Sequence, residues 1–335
     1  MSTTAGVFSE TVLNDIFVKI SQIMLDDRVK QQFIPQAESL KALSSVATAR
    51  VTELEGAKET KVKVYWDNAC ELADRAIQDC TFGGEKTSTN TQEYLIDIFR
   101  EVPFTVNEHD FVDNYAMFEE HLAKALLRSD VILMEYLAEQ FIARLNTGKG
   151  VNALTSPYTV VGSDTQVPAA DWKADLFSYL AYAAGKNKFG SPVLLNDGLL
   201  YSAYMQAKFN SGNADGKGDQ AAFNFMPIFF DMFRLPAVNG GSIYSYLINQ
   251  GSFAWANHNY FKPGTLIEGD YTRFQMPSAF SSSLLPVKYD VILKKSCTTN
   301  DLTQIEGKVK LAAGIYQNPT GCDADNTNVL SFIKT

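Results

Sequence analysis

From Phe111 to Leu145 the chain carries no glycine and no proline, and its apolar residues fall at helical spacing. Phe111, Tyr115, Phe118, Leu122 and Ala125, then Leu133, Leu137, Phe141 and Leu145, recur three and four residues apart, the pattern of one amphipathic helix. Asn107 or Asp110 can cap its start, and Asn146-Thr147-Gly148-Lys149-Gly150 supplies an abrupt stop. At about 1.5 Å per residue such a helix is roughly 50 Å long, more than one small core covers. Met134, Tyr136 and Ile142 fall on other faces, so the pattern is not a strict coiled-coil heptad. The expectation is a backbone along which an elongated subunit is built.

Before the helix, the reading is of helix and then ribbon. Val12, Leu13, Ile16, Phe17, Ile20, Ile23 and Met24 mark an amphipathic helix ending near Asp27, and Ser44 to Thr60 reads as a charged arm. Val62, Val64 and Trp66 alternate with Lys61, Lys63 and Tyr65, which predicts a strand. Thr81 to Thr91 is a polar, glycine-containing loop, Tyr94 to Phe99 a second β-prone run, and Pro103 to Val106 a short strand. An isolated two-stranded excursion is marginal in water, so this one needs a neighbour to lie on.

After the helix the pattern becomes mixed. A helix is predicted over Trp172–Ala184, a buried strand over Pro192–Leu195, a turn at Asn196-Asp197-Gly198 and a helix over Leu199–Asn210. Strands are predicted over Phe223–Phe230, Ile243–Ile248, Phe253–Ala256, Tyr271–Met276 and Val287–Lys295. Two more, Val309–Ala312 and Val329–Ile333, are joined through the turn Asn318-Pro319-Thr320-Gly321. The fold class is therefore α+β.

The chemistry of catalysis has no anchor in this sequence, and the expectation is no catalytic, cofactor-binding or metal site. His109, His121 and His258 lack any metal-ligand spacing. The loop Ser211–Asp219 departs from a phosphate loop, with three residues between Gly212 and Gly216, and from a calcium loop, with Ala222 at the closing position. No G-x-S-x-G elbow occurs, and the adjacent Glu119 and Glu120 diverge around a helix. Cys70, Cys80, Cys297 and Cys322 stand far apart and read as free thiols. No apolar run reaches a membrane span and no secretory signal opens the chain. The net charge of −9 does not suit general binding to phosphates, although an acidic wall lets packed DNA slide beside it. Aromatic residues at 12% fit either a phenylalanine-rich core or extensive subunit contact.

This order of elements resembles the HK97-like capsid fold, that of the major capsid proteins of tailed double-stranded DNA bacteriophages. Ala143-Arg144-Leu145-Asn146-Thr147-Gly148 is similar to the end of that family's spine helix, and Ser191 to Tyr201 to its axial strand and helix start, with Asp197 where proline is frequent. Gly251-Ser252-Phe253-Ala254-Trp255-Ala256 resembles the strand leading into its terminal sheet, and Tyr289 to Lys294 that sheet's last long strand. The resemblance implies an N-terminal arm (1–60), an extended loop (61–106), a spine helix with peripheral domain (107–170), an axial domain (171–260), peripheral sheet strands (261–300) and C-terminal strands assignable to the axial domain (301–335). It implies self-assembly as pentamers and hexamers into an icosahedral shell around double-stranded DNA, contacted non-specifically. It also implies separate scaffolding and portal proteins, decoration proteins, assembly in a bacterial cytoplasm and residence in the virion. Lys86 lies near the loop tip, but without a matched asparagine no crosslink is carried over. An encapsulin-like compartment shares the fold, and enclosed cargo enzyme distinguishes it. A soluble α/β binding protein or enzyme is the reading from another class, distinguished by an active compact monomer.

Overall fold

The computed structural model describes residues 10–48, 51–52, 61–67, 89–107, 111, 115–210, 226–297, 303–319 and 328–335. Lys86, His109, Asp110, Cys70, Cys80, Cys322, the loop 211–219 and most of the loop 81–91 lie outside them.

The long helix is present as α4 (Tyr115–Thr147, 33 residues). Asn107 cannot cap it, because it ends strand β5 (Ile98–Asn107). Helical hydrogen bonding continues through the predicted stop until the Gly148 N–H closes on the Arg144 carbonyl. Its buried stripe is wider than expected: Met134 and Ile142 are in the core beside Leu133, Leu137, Phe141 and Leu145. Contrary to the sequence expectation, one continuous core covers the helix along its length.

The N-terminal segment makes this possible. Helix α1 (Glu10–Leu25) lies beside α4, and the short α2 (Asp27–Lys30), capped by Asp26, packs on α1. Helix α3 (Ser39–Val46) buries Leu40, Ala42, Leu43 and Val46 completely. The start of the predicted arm is thus core, because four apolar residues in eight outweigh the polar composition around them.

Two large sheets divide the remaining chain. The first has seven strands: β1 (Ala47–Thr48), β11 (Phe253–Asn257), β15 (Thr303–Gln317), β14 (Lys288–Cys297), β13 (Tyr271–Pro277) and β12 (Leu266–Glu268) in order, with β5 also on β15. Ala313 pairs with both Ile98 and Asn257, so β5 occupies one edge of β15 while β14 and β11 share the other. Strand β15, expected among C-terminal strands assignable to the axial domain, is the centre of this sheet. Nor is β14 the last strand. Val287, Tyr289, Val291 and Leu293 enter the core around α4, while Ile292 and Lys294 alternate outward.

The second sheet has the order β6 (Thr159–Val161), β7 (Asp164–Val167), β16 (Val329–Lys334), β10 (Tyr244–Asn249), β8 (Pro192–Asn196) and β9 (Ile228–Phe230). Its centre is apolar on both faces, which explains the unbroken hydrophobic runs. Val193, Leu195, Tyr246, Ile248 and Val329 enter the core around α4, whereas Leu194, Leu247, Leu330 and Phe332 enter a second core. That second core lies under α5 (Asp175–Lys186) and beside α6 (Tyr201–Asn210).

Several sequence boundaries move accordingly. β6 and β7, expected with the spine helix, belong to the second sheet, and β11, expected in the axial domain, belongs to the first. β15 and β16 are not a hairpin, because both edges of β15 are already occupied and β16 inserts between β7 and β10.

The ribbon of β3 (Lys61–Asp67) and β4 (Thr89–Leu95), extended by β2 (Val51–Thr52), forms a third sheet. Val62, Val64 and Trp66 are buried against Ala254, Ala256, Ala312 and Tyr316 on the outer face of the seven-stranded sheet. Small residues at 254, 256, 312 and Gly314 leave a shelf that the larger side chains fill. Tyr94 stacks on Tyr316 at 4.5 Å, the Trp66 indole donates to the Tyr94 hydroxyl at 3.1 Å, and the Tyr316 hydroxyl donates to the Leu95 carbonyl at 2.9 Å. The neighbour that the base of this excursion needs is its own chain. The return strand β5 is likewise no free loop, since its ten residues pair with β15 from Asn107↔Gln304 to Ile98↔Ala313.

Candidate functional site

The functional candidates are the joints that fix α4 to the sheets and the edges left open beyond them. At mid-helix the apolar register is broken by Ser129 and Asp130, both 1% exposed. The Ser129 hydroxyl turns back to the Ala125 carbonyl at 2.9 Å. The Asp130 carboxylate accepts from the Tyr289 hydroxyl at 2.7 Å, the Ser278 hydroxyl at 2.8 Å and the Ala279 N–H at 2.8 Å. It therefore ties the helix to β14 and to the turn after β13. Burial pushes its carboxyl up to about 6, against hydrogen bonds that favour the charged form. The same burial, with the Asp130 charge adding to it, holds Tyr289 well above the usual phenol range. A recess of about 350 Å³ reaches Asp130 between Phe17, Ile20, Leu126, Met276 and Ala279. Among the described residues the carboxyl group has hydroxyl and amide neighbours but no second acid and no base, which suits a structural tie. Sequence reasoning missed this residue. Its signal was a carboxylate at a position that the spacing from Leu122, Leu126 and Leu133 assigns to the stripe.

A second joint lies one helical turn further on. The Asp231 carboxylate accepts from the N–H groups of Arg234 (2.8 Å), Phe233 (3.3 Å) and Ser39 (3.0 Å), which starts α7 (Arg234–Val238) and anchors α3. The Arg234 guanidinium forks between Glu135 and Glu139, four residues apart on α4. Beyond it, Asn146 of α4 bonds Asn239 at 2.7 Å and accepts from the Tyr246 hydroxyl, linking the helix end to the second sheet. The turn Asn196-Asp197-Gly198 is formed as predicted: Asn196 Oδ1 accepts from the Gly198 and Leu200 N–H groups, and Gly198 takes φ +102°.

The two described histidines do not converge. His121 lies tilted against the Phe111 ring at 4.6 Å, and His258 is buried edge-on to the Tyr260 ring at 4.7 Å. Among the described residues no group of three or more His, Cys, Asp or Glu could hold a metal ion. No described helix is long and apolar enough to cross a membrane.

The open edges carry apolar side chains. Among the described residues strand β12 ends the seven-stranded sheet with only β13 beside it, and all three of its residues are exposed. Leu266 is 52% and Ile267 46% exposed, on opposite faces, with half-exposed Tyr271 across the turn. At the other edge β5 carries Pro103, which offers no N–H to a further strand.

Architecturally the chain is a mixed α+β protein, with one long helix held against two large sheets. No family model matches it, and no curated protein matches it. Among solved structures it is similar to the capsid of the cyanophage P-SCSP1u, at 12% identity over 88% of each chain with a TM-score of 0.43. It is also similar to a structure of Mycobacterium phage Che8, at 12% identity over 88% of this chain and 87% of the other, TM-score 0.39. A third is the capsid of Ralstonia phage GP4, at 11% identity over 84% and 85%, TM-score 0.39. Likenesses this distant carry no argument about what the chain does.

Proposed function

We propose that this chain is a shell-forming capsid subunit, assembling with identical copies as pentamers and hexamers around double-stranded DNA. The carrying observation is the order and pairing of elements: helical segment, ribbon, 33-residue helix, α/β unit and long-stranded sheet, the order the sequence resemblance implies. The exposed apolar edge at β12 supports it, since an open strand with Leu266 and Ile267 outward is an association surface. The role is structural and not enzymatic. Scaffolding, portal and decoration proteins are its further partners, with assembly in the host cytoplasm and residence in the virion.

Expression of the chain alone, followed by sedimentation and negative-stain microscopy, tests this. Rings of five and six or closed particles are expected. An Ile267→Lys variant, altered at an exposed position, is expected to keep its urea midpoint and lose at least tenfold in particle yield. A monomer at every concentration overturns the proposal.

A further inference from the structure

Beside the first turns of α4 lies a recess of about 360 Å³ whose charged lining, among the described residues, is entirely basic. His121, Lys124 and Arg128 stand at spacings of three and four, hence on one face of the helix, with the small Ala125 between them opening the floor. From His121 to Arg128 the row spans roughly 10 Å of helix axis. Across the recess, β5 contributes Thr105 and Asn107, and the turn after α2 contributes Gln32. Two other recesses of similar size each contain a carboxylate, Asp130 in one and Glu101 with Asp290 in the other. Among the described residues Lys124 has one carboxylate partner, Glu120 at 2.5 Å, and this pairing holds that acid below its usual range. Arg128 is exposed and forms no ion pair or hydrogen bond among the described residues.

We infer that this recess is an oxyanion site that takes a phosphate group. A guanidinium fork matches two phosphate oxygens, an ammonium supplies point charge, and side-chain hydroxyl and amide groups complete the set of donors. In a chain of net charge −9 such a cluster is a local exception. It fixes where phosphate can be held while the acidic remainder repels it. Two sources offer this chemistry: free phosphate or pyrophosphate, and the backbone of nucleic acid. The second source rests on the proposed capsid role, whereas the first does not.

The test uses the purified full chain at 50 mM salt. Inorganic pyrophosphate is titrated by calorimetry, and a fluorescent 12-base-pair duplex by anisotropy. Arg128→Gln and Lys124→Gln are compared with Lys186→Gln, an exposed lysine on α5 far from the recess in sequence. Binding of either probe, weakened about tenfold or more by the first two changes and unaltered by the third, supports the site. Displacement of the duplex by pyrophosphate assigns the contact to the phosphate group itself. Duplex binding whose salt slope falls by about 0.9 per lost contact assigns it to the DNA backbone. Failure of both probes to bind, or equal binding by all variants, overturns the inference. Particle formation is read separately, so loss of this site leaves the capsid reading standing and the reverse holds too.

Discussion

Replacing Asp130 by Asn removes a charge from the middle of the longest helix. The carboxyl ordinarily titrates near 3.8 and is raised to about 6 in the folded chain, where it is 1% exposed. Folding therefore disfavours the charged form. The resulting penalty is complete above the folded value, shrinks as pH falls through 6, and vanishes below 3.8. Two units and a fraction correspond to about 3 kcal/mol, by 1.36 kcal/mol per unit. Wild-type stability should thus rise on acidification from pH 7.5 to 4.5, against the usual direction for carboxylates. The Asp130→Asn variant should lose most of that slope. At pH 7.5 it keeps an acceptor for the Ala279 N–H, while its new N–H₂ requires a hydroxyl to rotate into the acceptor role. A mismatch there costs about 1–2 kcal/mol, so the variant is expected to be about 1–2 kcal/mol more stable than wild type. Urea midpoints of unassembled chain across pH 4.5–7.5 measure both. A wild-type midpoint that falls on acidification through this window, with the variant showing the same slope, refutes the reasoning.

Trp66→Ala empties the shelf beneath the ribbon and should cost about 3–5 kcal/mol locally. Hydrogen exchange of β3 and β4 should accelerate while β10 stays protected, and a uniform acceleration would show that the ribbon is not a separable unit. Gly198→Ala should cost about 1–3 kcal/mol in urea unfolding, because φ is +102° and a Cβ would meet Met232 Cγ at 2.7 Å. Adding Met232→Ala should relieve only the contact part, and full recovery would place the cost in packing instead of backbone.

Elements with strong local signal were legible: α4, the alternations of β3 and β14, and the Asn196–Gly198 turn. The errors concern partners. Leu40, Leu43 and Val46 are ordinary helix residues until the space between α4 and the second sheet receives them. Nothing local in Val309–Ala312 says that β15 continues for fifteen residues and takes strands on both edges. The alanines at 254, 256 and 312 look inert alone, and only their outward register on adjacent strands shows a seat for Trp66. Strand β12 went unread in the sequence, because three residues carry no alternation and exposure depends on which strand ends the sheet. The basic row His121, Lys124, Arg128 is visible in the sequence, but its recess needs β5 alongside.

Strand β15 also sets a timetable. Glu101 on β5 meets Lys308 on β15 across 207 positions. A ribosome working at about 5–20 residues per second takes roughly 10–40 s to deliver the second after the first. Until then β5 and β11 have no central strand to join, and β10 waits in turn for β16, which follows β15. Such a nascent polypeptide spends its synthesis with sticky borders uncovered, so its yield in a cell should depend on holding factors and growth temperature more than on the stability of the finished molecule.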